Sequence, residues 1–155
     1  MRNGWMVRAG RGGRLFQQFS DGGFVAVGWN LLAPLDQYQD KAEIKAAYVR
    51  NYGNDKPSKT GNSVAIIDKF VNIKTGDYVV TYEPKTRNYL VGEDLGQYLF
   101  LDTNVDDYRN IRKVNWLGTV KRDCLSDDAQ RSLTSVLTLF SLRPEVLKEF
   151  TSQLT

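Results

Sequence analysis

Asp77-Tyr78-Val79-Val80-Thr81-Tyr82, followed by Tyr89-Leu90-Val91-Gly92, carries a hydrophobic period of two. That period places successive side chains on opposite faces of an extended chain, and aromatic and β-branched residues suit it. Residues 84–88 supply the turn between the two strands. Further strands are expected over 97–101, 111–116 and 119–122. No helical pattern interrupts this run, so it lacks the crossover helices of a parallel sheet. The fold class expected is α+β: an antiparallel sheet or small barrel with helices outside it.

Working outward, residues 5–9 and 24–29 read as two earlier strands. The second is apolar on both faces and is expected at the centre of the sheet. Between them, residues 15–19 read as a single turn or edge segment, and Asp21-Gly22-Gly23 as a turn. Asp40 and Glu43 resemble a capping box for a helix over 40–52, with Ile44, Ala47, Tyr48 and Tyr52 on one face. A polar loop is expected over 54–62, then a helix over 63–71 burying Val64, Ile67, Phe70 and Val71. A loop with Asp102, Asp106 and Asp107 interrupts the later strands. Ser126 caps a further helix whose stripe is Ala129, Leu133, Val136, Leu137 and Phe140. Pro144 opens the last helix, with Val146, Leu147, Phe150 and Leu154 inward. The expected organisation is one domain over 1–142, with 143–155 a C-terminal helix that packs on it or begins a linker.

Composition narrows the chemistry. The chain has 155 residues, one cysteine and no histidine. Catalytic triads, Cys-His pairs and His-based zinc sites all need residues that are missing. No disulfide can form within the chain, which fits a cytoplasmic protein. No apolar run approaches the roughly 18 residues of a membrane span, and no secretory signal is visible. Net charge is +3, compatible with nucleic acid. The expectation is a chain that binds without cofactor, metal or membrane. Cys124 reads as a small packing residue.

Two catalytic patterns are incomplete. Gly53 to Thr60 approaches a phosphate-binding loop, but Ser58 replaces its second glycine and a helix, not a strand, precedes it. Glu83-Pro84-Lys85 has the form of a magnesium nuclease triplet with Asp68 or Asp77 upstream, yet its central proline belongs to a turn. The stronger signal is Arg8, Gly10, Arg11, Gly12, Gly13 and Arg14. Glycines let backbone amides approach a phosphate, and arginines add charge and bidentate donors. A solvated surface loop is the alternative. Among the aromatics, Trp29 follows Gly28 at a strand exit and precedes Asn30, which offers a donor and an acceptor to a base edge. Trp5 and Trp116 also lie on or at strands, and facing rings would form a cage. Core packing is the competing role for each.

Several segments together resemble a known domain. They are Trp5 to Gly10 with Gly13, Val25 to Trp29, Gly76-Asp77 entering a strand, Tyr89 to Gly92, Gly96 to Tyr98, Arg112 to Trp116 and Arg122 to Ser126. Ser132 to Val136 and Leu139-Phe140 extend the match over roughly 5–142. The order resembles the N-terminal domain ahead of the nuclease in Mrr-type modification-dependent restriction endonucleases. That domain is similar to the PUA-like superfamily, including EVE and YTH domains. The resemblance implies a small twisted β-barrel of about five or six strands with flanking helices. It also implies a non-enzymatic DNA-binding module that reads a modified base, with any nuclease in a separate domain or chain. Trp29 matches the place of the first cage tryptophan; Trp116, Tyr98 and Trp5 are candidates for the second cage residue, and Asn30 for the base edge. A reader of this kind flips the base from the duplex, at a cost of a few kcal/mol, and recovers about 1–3 kcal/mol per stacked base. Arg8, Arg11 and Arg14 would hold the flanking phosphates. The alternatives are an RNA-binding PUA-like module, a magnesium nuclease using Asp77, Glu83 and Lys85, and a protein-interaction domain with a vestigial pocket.

Overall fold

A computed structural model of the chain describes residues 2–53, 55–102 and 107–154. Asp106 and the first residue of the loop expected over 54–62 lie outside these residues. The elements run β1 (Gly4–Val7), α1 (Phe16–Gly22), β2 (Phe24–Val27), α2 (Lys41–Tyr52), α3 (Pro57–Val71), β3 (Tyr78–Glu83), β4 (Asn88–Phe100), β5 (Asn110–Lys121), α4 (Asp127–Ser132), β6 (Leu139–Ser141) and α5 (Pro144–Gln153). The chain divides into two compact units, one of residues 1–25, 74–97 and 112–155, the other of residues 26–73 and 98–111.

The α+β class is as expected, but the barrel is not. The six strands form an open mixed sheet in the order β2-β5-β4-β3-β1-β6. Closure would require the end strands to pair with each other. Instead β2 pairs with β5, and three-residue β6 pairs with β1. The sheet is also not purely antiparallel. β1 runs parallel to β3, with Trp5 opposite Val79, because the long chain between them contains the helices of a crossover. β3 and β4 form the expected antiparallel hairpin, with Tyr82 opposite Tyr89.

Several expected boundaries move for identifiable reasons. β2 stands at the sheet edge although all four of its residues are buried. Apolar character on both faces reported cover, not strands on both sides. The strands expected over 89–92 and 97–101 are one strand, β4, which passes through Gly96 at φ 76°. Polar residues lie between the two expected strands, but Asp94 among them is buried against Arg112 of β5. The two later segments likewise merge into β5. Residues 16–22 form a helix, closed by left-handed Gly23, whose N–H donates to the Phe19 carbonyl. α3 begins six residues early, with Pro57 in its first turn.

The largest correction concerns residues 126–140. The helix begins as expected, with the Ser126 hydroxyl accepting from the Ala129 N–H, but it ends at Ser132. Thr134, Ser135, Val136 and Thr138 are weak helix formers, and Leu139–Ser141 pairs with β1. Leu133 remains buried, whereas Val136 and Leu137 are exposed. Cys124 is exposed too, so it does not pack.

In the first unit one sheet face contributes Met6, Val80, Tyr89, Val91 and Val120 to a core. Leu125, Ala129, Leu133, Leu142, Val146 and Phe150 complete it from α4, α5 and their flanking loops. The second unit is built on the α2–α3 pair, where Ile44, Ala47 and Tyr48 are buried, as are Val64, Ile67 and Phe70. The Asp40 side chain accepts from the Glu43 N–H and caps α2.

Candidate nucleic-acid interface

The core face of the first unit does not close at one end. A cavity of about 360 Å³ opens there, walled by Met6, Tyr82, Tyr89 and Phe140 from the sheet. Residues 133–137 form another wall, and Arg8, Gly12, Gly13, Pro84 and Arg122 complete the lining. Its volume lies within the range of ordinary ligand sites, roughly 300–1,000 Å³.

Register explains the aromatic wall. Tyr82 and Tyr89 are direct cross-strand partners, so both rings stand on the core face. Their centroids are 4.5 Å apart with planes inclined by 35°. Tyr89 is 2% exposed and also meets the Phe150 ring edge-on at 5.0 Å. Arg122 Nη1 donates to the Tyr89 hydroxyl at 3.0 Å. Burial pushes the Tyr89 phenol above its ordinary pKa, an effect the neighbouring Arg122 partly offsets. Tyr82 is half-buried and presents the more accessible ring.

The glycine and arginine segment forms the rim. Residues Arg11–Gly13 make a 3-10 turn capped by Gly10, and Gly10, Gly12 and Gly13 all have positive φ. Gly13 has a second requirement: a Cβ there would lie 2.7 Å from Pro84 Cδ and 3.4 Å from the Tyr82 carbonyl oxygen. Glycine thus lets the turn sit against the β3–β4 hairpin and bring Gly12 and Gly13 to the cavity. Arg8 is exposed beside it. Its backbone N–H donates to the Thr138 carbonyl at 2.8 Å, and Nη1 to the Val136 carbonyl at 3.1 Å. These bonds fasten the 134–138 loop, which displays Val136 at 77% exposure. Arg11 and Arg14 are exposed on the same turn but do not line the cavity.

The residues expected to form an aromatic pocket take other positions. Trp5 donates its indole N–H to Asp77 Oδ2 at 3.0 Å. Trp116 donates to the Phe19 carbonyl at 2.8 Å, and its ring lies over Gly92. Strands β4 and β3 stand between their two strands, a separation of about 14 Å that prevents the rings from facing each other. In the second unit Trp29 is half-buried with a left-handed φ of 57°. Asn30 Oδ1 accepts from the Arg109 N–H, and the Tyr98 hydroxyl accepts from the Leu35 N–H while bonding to Asn110 Oδ1. Burial raises the Tyr98 pKa. Trp5, Trp116, Asn30 and Tyr98 therefore spend polar atoms on holding backbone or side chains in place.

The other sequence candidates separate as well. Asp77 accepts from the Asn3 N–H, the Lys74 N–H and the Trp5 indole. Glu83 lies at the opposite end of β3, about 20 Å away along the strand, and accepts from the Thr86 hydroxyl. Asp77, Glu83 and Lys85 are not brought together. Ser58, Lys59 and Thr60 are inside α3 and cannot form a phosphate loop. A cavity of about 580 Å³ in the second unit is lined by Lys41, Lys45, Asp55 and Thr60 among others, without an aromatic ring. No helix among the described residues is long and apolar enough to cross a membrane.

A family model described as a domain of unknown function, DUF8426, matches residues 5–143. No curated protein matches the chain. Among solved structures it is similar to protein Atu2648 from Agrobacterium tumefaciens, at 10% identity and a TM-score of 0.41, over 98% of this chain and 90% of that one.

Proposed function

The chain belongs to that DUF8426 family, whose description assigns no activity, and we propose that its first unit is a nucleic-acid-binding module that receives a modified DNA base, flipped from the duplex, in the Tyr82–Tyr89 cavity. One observation carries this reading: an open cavity with an aromatic wall lies directly against the glycine and arginine turn. Tyr82 supplies the ring on which a base stacks. Arg8, Arg11 and Arg14 stand at or beside the rim, where the phosphates flanking an extruded nucleotide would pass. The resemblance to EVE and YTH domains of the PUA-like superfamily favours the same class of ligand. It adds the role of sensor in a modification-dependent restriction system, with the nuclease in a separate domain or chain. In this reading the base pocket is the tyrosine cavity and not the surroundings of Trp29.

The test is a titration of the chain with matched duplexes, modified and unmodified at one base, with single-stranded RNA as competitor. The modified duplex should bind more tightly. Tyr82→Leu should weaken that binding by about 5- to 150-fold, from the loss of roughly 1–3 kcal/mol of stacking. Trp29→Ala should leave it unchanged. Equal affinity for both duplexes defeats the modified-base reading, and preferential binding of RNA replaces DNA as the ligand.

A further inference from the structure

The charged side chains of the cavity are one-sided, and its other polar side chains are the hydroxyls of Tyr82, Tyr89, Thr134 and Ser135. Its charged lining groups are Arg8 and Arg122, and no Asp, Glu, Asn or Gln among the described residues lines it. Arginine offers five N–H donors and no acceptor. Arg122 directs Nη1 to the Tyr89 hydroxyl, and Arg8 directs Nη1 to the Val136 carbonyl. Each commits one nitrogen to these contacts and keeps a cationic head at the cavity. The Tyr89 hydroxyl accepts from Arg122, which leaves its own proton to donate. The Val136 carbonyl is already engaged by Arg8. An exocyclic amine entering this space would meet arginine donors and, as side-chain acceptors, only neutral hydroxyls. A carbonyl or carboxylate would meet two cations.

We propose that this cavity selects a flat ring bearing an acceptor or an anionic group on its edge, such as a base modified with a carboxyl group, over a ring modified only with a methyl. The inference rests on the proposed base pocket and names the class of modification it admits. Arg8 and Arg122 are the specificity-determining residues. Tyr82 contributes stacking to either ligand and does not discriminate between them. A charge-assisted hydrogen bond in a half-enclosed site is worth roughly tenfold or more in affinity.

Isothermal titration of the chain with 5-carboxy-2′-deoxycytidine and 5-methyl-2′-deoxycytidine, each free and as a single site in one duplex, tests this. Unfolding midpoints of Arg8→Gln and Arg122→Gln establish that both variants fold. The carboxylated nucleoside should bind at least about tenfold more tightly than the methylated one, and either variant should close most of that gap. Equal binding, preference for the methyl group, a gap unchanged in both variants, or no binding of either free nucleoside overturns the inference. Preference among free nucleosides without binding of either duplex supports the inference and defeats the nucleic-acid reading. Preference for the methylated duplex supports that reading and defeats the inference.

Discussion

Removing the arginine of the Asp94–Arg112 pair should cost this fold more than any surface substitution. Asp94 has no exposed side-chain area, and Arg112 has 7%. Nε and Nη2 of Arg112 donate to the two carboxylate oxygens, each at 2.8 Å, and the Gly96 N–H adds a third bond at 2.8 Å. Arg112→Met keeps most of the volume but leaves a buried carboxylate with one of those donors. Breaking such a pair from one side costs about 3–5 kcal/mol, a large part of the ~5–15 kcal/mol that holds a domain folded. At about 2–4 °C per kcal/mol, the unfolding midpoint should fall by roughly 6–20 °C. Replacing both residues, Asp94→Leu with Arg112→Met, removes the stranded charge and should recover a substantial part of the loss. The assays are thermal and urea unfolding followed by tryptophan fluorescence and circular dichroism, with coincident transitions as the check on two-state behaviour. A single variant within ~0.5 kcal/mol of the parent, or a double variant as unstable as the sum of the singles, would refute the reasoning.

Three further outcomes follow from the same structure. Asp77→Ala strands the Asn3 and Lys74 amides and the Trp5 indole, and should cost about 2–4 kcal/mol with a shift in Trp5 emission, read by urea unfolding and fluorescence. Gly13→Ala forces a Cβ to within 2.7 Å of Pro84 at φ 74°, and should cost at least ~1–2 kcal/mol in thermal unfolding while narrowing the proposed base pocket. The buried Tyr89 phenol has a raised pKa, so unfolded chain ionises before folded chain. Stability from this group is complete below about pH 10 and declines above it until the folded phenol ionises, and Tyr89→Phe should flatten that decline in alkaline unfolding curves.

How much of this was legible in the sequence depended on whether neighbours or distant partners decided the structure. The β3–β4 hairpin, the Asp40 cap and the start of the last helix at Pro144 are local, and period, capping residue and proline position reveal them. The residue pattern divides β4 because Asp94 looks like a loop residue until its partner on β5 is known. The helix expected through Phe140 failed for a similar reason. Its stripe at helical spacing is genuine, but β1 offers Leu139–Ser141 an edge to pair with. Open and closed sheets were indistinguishable for the same cause: closure depends on which end strands meet, and no residue pattern within a strand encodes that.

The site divides along the same line. A turn with three positive-φ glycines and its arginines could be read from the chain, because glycine's freedom is a property of single residues. The aromatic partner could not. Tryptophans are the largest rings, yet buried tryptophan commonly employs its N–H, and Trp5 and Trp116 do so. Tyr82 and Tyr89 carried a usable signal. They flank the turn of a predicted hairpin, and a tight register makes two such tyrosines cross-strand neighbours on one face. Pro84 in that turn also explains Gly13, since the glycine is needed where the proline ring leaves no room for a Cβ. The Glu83-Pro84-Lys85 segment, weighed in the sequence as a metal site, therefore has a packing role. Its Pro84 seats the glycine and arginine turn against the tyrosine wall, and that juxtaposition gives the cavity both its aromatic wall and its arginine rim.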